Sequence, residues 1–173
     1  AQPGPLVLWG ARTGALLAAE AARRAPQQVQ HLLFWQPVLD GALYLNQTLR
    51  LRIASQMLQD GAKETTDSLR RRLAEGDTLE VAGYPLPGRL AMALDSRKMA
   101  TLREGLTLPV SWLEVVSATG GAAASASRKL IDTWSVPVDL QTVACPMVWQ
   151  VHDREDAPAL VDGTLRLLAR ITA

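Results

Sequence analysis

The stretch Pro5-Leu6-Val7-Leu8-Trp9-Gly10-Ala11-Arg12-Thr13-Gly14 decides the reading of this chain. An apolar run that reads as a strand enters Gly10-x-x-x-Gly14, and an Ala- and Leu-rich segment that reads as a helix leaves it. Glycines bracket a strand-to-helix turn of this kind because the two backbones pass close together. The spacing is that of the Gly-x-Ser-x-Gly elbow, whose central residue is held in a strained backbone state at a helix N-terminus. Here the centre is Arg12. The frame of a nucleophile-presenting turn is kept, and a cation stands where the nucleophile belongs.

Three further apolar runs read as strands: Leu32 to Trp35, Val110 to Val116 and Met147 to Val151, each with a tryptophan, as in the first. Pro5, Pro109 and Pro146 directly precede three of the four, where no ladder donor is lost. Runs without clear alternation suit strands buried on both faces of a parallel sheet. Between them, Thr13 to Arg24 reads as a helix ending before Pro26, with Ala15, Ala18, Ala19, Ala21 and Ala22 small enough to lie close on a sheet. Ser125 to Trp134 offers serine caps, and Pro158 to Ile171 is an amphipathic closing helix. The pattern predicts an α/β fold with a parallel sheet of about four strands flanked by helices.

The chain divides into 1–35 (elbow strand, helix and second strand), a helical cap insertion over 36–108, and 109–173 with the C-terminal strands and helices. The insertion predicts helices over Leu43 to Leu58, Thr66 to Glu75 and Arg89 to Lys98, separated by Gly61, Gly76 and a Gly83-Tyr84-Pro85-Leu86-Pro87-Gly88 loop. Following the second strand, it is expected to arch over the strands' carboxyl ends, where ligands bind in open α/β sheets. The other reading is a plain helical extension against a flank.

At 173 residues, 48% hydrophobic and 20% charged, the chain has the balance of a globular domain with a real core. Its net charge of +1 supplies no field for nucleic acid or an anionic membrane. No apolar run approaches membrane-spanning length and no targeting signal is visible, so a cytoplasmic location is expected. Cys145 is the single cysteine and reads as a small buried thiol at the entrance to a strand. The two histidines lie far apart with no cysteine partner, so no metal is expected. Gly120-Gly121-Ala122 lacks the lysine of a P-loop, and no cofactor is implied.

With elbow, helix and insertion in place, the chain resembles the α/β-hydrolase superfamily. More narrowly, it resembles the second of two hydrolase-like families associated with the bacterial exosortase A protein-sorting system. The resemblance is carried by Leu8 to Ala18 around the elbow, Leu32-Leu33-Phe34-Trp35-Gln36-Pro37-Val38-Leu39-Asp40-Gly41, Leu49 to Leu58, Glu80 to Tyr84, Trp149-Gln150 and Ala157 to Leu160. It implies a hydrolase-like fold in bacteria that make exopolysaccharide, no defined substrate, and replacement of the elbow serine as a family trait. Two departures stand out. A full hydrolase of this kind has strands and helices before its elbow, whereas Pro5 is preceded here by four residues. The acid is expected after Val110 to Val116, where Ser117-Ala118-Thr119-Gly120 carries no carboxylate.

Four residues are candidates for a site. Ala11, Arg12 and Thr13 form the elbow, whose helix amides and guanidinium suit a small anionic ligand; alternatively, Arg12 pairs with an acidic side chain and fills space. Thr13 carries the nearest hydroxyl but reads better as a first-turn helix residue. His152 is the histidine nearest the expected base position, which falls closer to Met147 or Val148. His31 reads as a surface residue on the wrong side of the sheet, and Arg70-Arg71-Arg72 as a solvated face beside Leu69 and Leu73. Two functions follow. One is a non-catalytic anion-binding scaffold without ordinary Ser-His-Asp hydrolysis. The other is part of an active esterase or acyltransferase acting on an acyl ligand, completed by a missing N-terminal half. The first strand, left as a sheet edge, is expected to pair with that half or with a second copy.

Overall fold

The computed structural model describes residues 6–57, 64–149 and 156–171. The elements run β1 (Leu6–Ala11), α1 (Gly14–Arg24), β2 (Val29–Trp35), α2 (Gly41–Met57), α3 (Thr66–Ala74), β3 (Thr78–Val81), β4 (Tyr84–Pro87), α4 (Gly88–Asp95), α5 (Met99–Leu102), β5 (Val110–Val116), α6 (Ser125–Ile131), β6 (Val138–Ala144) and α7 (Pro158–Ile171). Two compact units result: Ala1–Leu39 with Met99–Ala173, and Asp40–Lys98.

The first unit is built on a four-stranded sheet of order β1-β2-β5-β6, with every neighbouring pair parallel. β5 is buried along nearly its whole length, with α7 on one face and an aromatic cluster on the other. On one face Leu33, Leu113 and Val115 pack against Leu160 and Leu167 of α7. On the other, Phe34 and Trp112 meet edge to face at 6.0 Å, and Trp112 meets Trp134 at 6.2 Å. Ala15, Ala18, Ala19 and Ala22 bury the sheet-facing side of α1, while Ala21 is exposed. Their small side chains let that helix lie close on β1 and β2.

The fourth strand differs from expectation. It is Val138–Ala144, and Met147 to Trp149 turn beyond it, with Gln150 and Val151 outside the described residues. Val138-Asp139-Leu140-Gln141-Thr142-Val143-Ala144 mixes polar with apolar residues and alternates only over its first four, as suits a sheet-border strand with part of its surface in water. A search for continuous apolar runs passes over it. Trp149 instead packs with Trp35 and Cys145 against the α7-side core. Cys145 therefore marks the exit of a strand rather than its entrance.

α6 is also held differently from its sequence signal. Its N-cap is Ala124, with no side-chain cap, and the Ala124 amide donates to Glu114 Oε1 of β5 at 2.9 Å.

The second unit packs Leu45, Leu49, Leu69, Leu73, Leu79 and Ala91 into its own core. Thr65 and Ser68 close a capping box at the start of α3. The segment expected as a loop after Gly83 is a strand: β3 and β4 form a hairpin through Ala82 (φ 50°) and Gly83 (φ 82°). Both central residues of a tight hairpin turn need positive φ, which an alanine rarely supplies. The arginine run is the exposed face expected beside buried Leu69 and Leu73 at Arg71 and Arg72, but it is laced with ion pairs and Arg70 is half-buried. Arg70 grips Asp95 through two 2.7 Å bonds, and Arg72 reaches Glu64 at 3.1 Å and Asp77 at 2.8 Å.

Candidate functional site

Every strand of the parallel sheet ends on the same side, and β1 ends there in the elbow. Arg12 has φ 52°, the left-handed state that an L side chain adopts only when its surroundings impose it. Those surroundings are backbone bonds. The Arg12 amide donates to Trp35 O at 2.9 Å, and its carbonyl accepts from Ala15 N at 3.2 Å and Val38 N at 3.1 Å. Gly10 makes the bend possible, since a Cβ there would lie 2.5 Å from Gly14 O and 2.6 Å from Ala15 Cα. Gly14 is different: a Cβ there meets nothing within 4 Å. Only the first glycine of the frame is required by close approach.

Among the described contacts of the Arg12 guanidinium are a carbonyl and an indole ring. Its Nη1 donates to Gln36 O at 3.0 Å, and its Cζ lies 5.3 Å from the centre of the Trp149 ring. A cation over an indole face is attracted by the ring quadrupole. Gln36, at φ 39°, is a second strained residue. Its amide donates to Leu113 O at 2.8 Å, and its side-chain Oε1 accepts from Val115 N at 2.7 Å. The end of β2 thus ties β5 to the elbow through one residue. Nearby, Trp9 and Trp35 meet edge to face at 4.5 Å, and Trp35 Nε1 donates to Thr164 Oγ1 at 2.9 Å.

The expected elbow residues therefore lie together: Ala11 exposed, Arg12 and Thr13 half-buried. Thr13 takes an ordinary right-handed conformation (φ −62°) as the N-cap of α1, and its hydroxyl makes no cap bond. It is beside the apex and not at it. His152 lies outside the described residues. His31 is no surface residue: it is half-buried and its Nε2 is 2.9 Å from Ser111 Oγ. Burial pushes the Cys145 thiol up, away from the thiolate form a nucleophile needs.

Sequence reasoning passed over Gln36, Trp149 and Glu114 as site or near-site residues. Gln36 and Trp149 bear on Arg12 only through the fold. Glu114 is buried at 3% exposure, and among the described residues its Oε2 has no hydrogen-bond partner. Among the described residues no cluster of three or more His, Cys, Asp or Glu is arranged to hold a metal ion, and no helix is long and apolar enough to cross a membrane.

No protein-family model matches the sequence, and no curated protein is significantly similar to it. Solved structures do match. Est1E from Butyrivibrio proteoclasticus with bound ferulic acid is 16% identical over 80% of this chain and 49% of its own, with a TM-score of 0.55. A putative non-heme bromoperoxidase, BpoC, from Mycobacterium tuberculosis H37Rv is 14% identical over 98% of this chain and 68% of its own, at 0.54. Mouse alpha/beta hydrolase domain-containing protein 10 is 16% identical over the full chain and 65% of its own, at 0.51. The chain spans about half the length of Est1E and about two thirds of the other two. Identities this low bear on architecture alone, and with the parallel sheet and its elbow they lead to one conclusion: this chain has the α/β-hydrolase fold.

Proposed function

We propose that this chain is a non-hydrolytic relative of the α/β hydrolases that binds a small anionic ligand at its elbow, in the bacterial exosortase and exopolysaccharide setting of the family it resembles. The observation that carries the reading is the left-handed Arg12 at the apex after β1. An arginine cannot serve as nucleophile or base at neutral pH, whereas its fork of donors matches a carboxylate or phosphate. The Ala15 and Leu16 amides at the start of α1 are already bonded to the Arg12 and Thr13 carbonyls, so the helix contributes mainly its dipole, and a helix N-terminus favours negative charge. In this reading Ala11, Arg12 and Thr13 form the ligand site, and the protein works in the cytoplasm. Titration with acetate, phosphate and a short acyl phosphate by calorimetry tests it. Binding that Arg12→Ala abolishes supports the proposal; absence of binding for all three sinks it.

A second reading rests on the length relation. The chain spans about half of Est1E, so a further polypeptide segment or a second copy pairing with β1 would complete an esterase or acyltransferase. Trp9 and Leu6 on that border strand are 57% and 46% exposed, more apolar surface than an edge strand normally leaves in water. Hydrolysis of p-nitrophenyl acetate with labelling by a fluorophosphonate probe would favour this reading over the first.

A further inference from the structure

A second polar cluster lies at the other end of the sheet, where the strands begin. His31 of β2, Ser111 of β5 and Asp139 of β6 stand on three adjacent strands, with Ser111 and Asp139 paired in register. Their side chains share the α7 face, since Leu33, Leu113 and Val143, each two or four residues further along, pack with that helix. Arg170 of α7 donates to Asp139 Oδ2 at 2.9 Å, and so does Gln141 Nε2 at 2.8 Å. The cluster borders a cleft of about 360 Å³, whose apolar wall is Pro109, Leu167 and Ile171. That volume is at the lower end of small-molecule pockets.

A Ser-His-Asp grouping invites a hydrolytic reading, which the geometry opposes. Ser111 is 2% exposed and lies within a strand hydrogen-bonded on both sides. Among the described residues no helix N-terminus is placed beside it to offer amides to a developing oxyanion, and without these a serine-histidine pair achieves little. Ser111 instead fixes the imidazole. A neutral ring has one donor and one acceptor nitrogen, and the tautomer decides which of these roles the nitrogen away from Ser111 plays.

We propose that this cleft binds a small neutral polyhydroxylated molecule, of monosaccharide size. Arg170 and Asp139 neutralise one another, so the site presents no net charge to attract an ion. It does present donors and an acceptor side by side: the remaining N–H groups of Arg170, the imidazole of His31 and the second carboxylate oxygen of Asp139. A vicinal diol both donates and accepts at adjacent oxygens, which matches that alternation. Its C–H face suits the Pro109, Leu167 and Ile171 wall. The site is separate from the elbow and does not depend on the function proposed there.

The test follows the imidazole Cε1–H signals of the two histidines by NMR, with His31 assigned through His31→Gln. D-glucose, D-mannose and myo-inositol are titrated against the intact chain, with sodium phosphate and acetate as ionic controls. At least one polyol is expected to shift the His31 signal saturably with Kd on the order of 1–10 mM, in the range of weak small-ligand binding. Asp139→Asn and Arg170→Gln, both at solvent-exposed side chains, are expected to weaken it at least about tenfold by removing the fork. Saturation by phosphate or acetate instead, or shifts that stay linear and unchanged in both variants, overturns the proposal.

Discussion

Arg12 and Gln36 are bound to each other side chain to backbone, Nη1 to O at 3.0 Å, and both have positive φ. Two strained residues at the ends of adjacent strands hold one another in place. The strain is tolerated because backbone bonds from Trp35, Val38 and Leu113 surround the pair. The elbow is thus an interlocked corner of the sheet, independent of any nucleophile.

The two glycines of the elbow are expected to respond in opposite ways. Gly10→Ala places a methyl against the backbone of Gly14 and Ala15, which cannot move aside, and should cost about 3 kcal/mol or more. Gly14→Ala meets open space at a helical position and should be neutral or stabilise by up to about 1 kcal/mol. Urea midpoints of the two variants decide this. A tolerated Gly10→Ala would mean the bend is looser than described.

Substitution of Arg12 separates backbone strain from side-chain contacts. Arg12→Ala keeps the left-handed conformation and loses the bond to Gln36 and the stacking on Trp149. Arg12→Gly loses the same contacts and relieves the strain, so it should be more stable than Arg12→Ala by about 1 kcal/mol. Equal midpoints would remove strain from the account. A chain with Arg12→Ser is expected to hydrolyse p-nitrophenyl acetate no faster than the parent, because among the described residues no base stands beside the apex.

His31 predicts a pH dependence. Burial lowers its pKa below the ordinary 6.5, and the nearby charge of Asp139 only partly opposes this. A depressed folded-state value means that the unfolded chain takes up the proton first. Stability is therefore full above about pH 6.5 and declines as the pH falls through the folded value. Urea midpoints at pH 7.5, 6.5 and 5.5 should fall more steeply for the parent than for His31→Gln. Parallel decline would show that His31 contributes nothing.

Glu114 is expected to be a stability defect. Its Oε1 holds the Ala124 amide, worth about 1 kcal/mol, while its buried Oε2 has no partner among the described residues. Replacing a buried, incompletely satisfied carboxyl with an apolar side chain of similar size often stabilises. Glu114→Leu should accordingly raise the thermal midpoint, with a net gain of about 1 kcal/mol. A lower midpoint in calorimetry would mean that the Ala124 bond outweighs the orphan oxygen.

Much of this architecture was legible residue by residue. β1, β2, β5 and helices α1, α2, α3 and α7 follow from apolar period, capping and proline position, all set within a few residues of chain. The turn at Arg12 was legible for the same reason, since Gly10 must be small where strand and helix backbones meet. β6 and the β3–β4 hairpin escaped because a partly solvated strand has only weak alternation, and Ala82 gives no hint of a positive φ. The partners of Arg12 could not be inferred at all. Gln36 and Trp149 lie 24 and 137 positions away, and although both fall in stretches that carry the family resemblance, nothing in their own neighbourhoods ties them to Arg12. Only folding brings such side chains together, through strand register and the packing of α7. The same is true of His31, Ser111 and Asp139. Their separate strands look unremarkable in order, and parallel pairing alone sets them in a row.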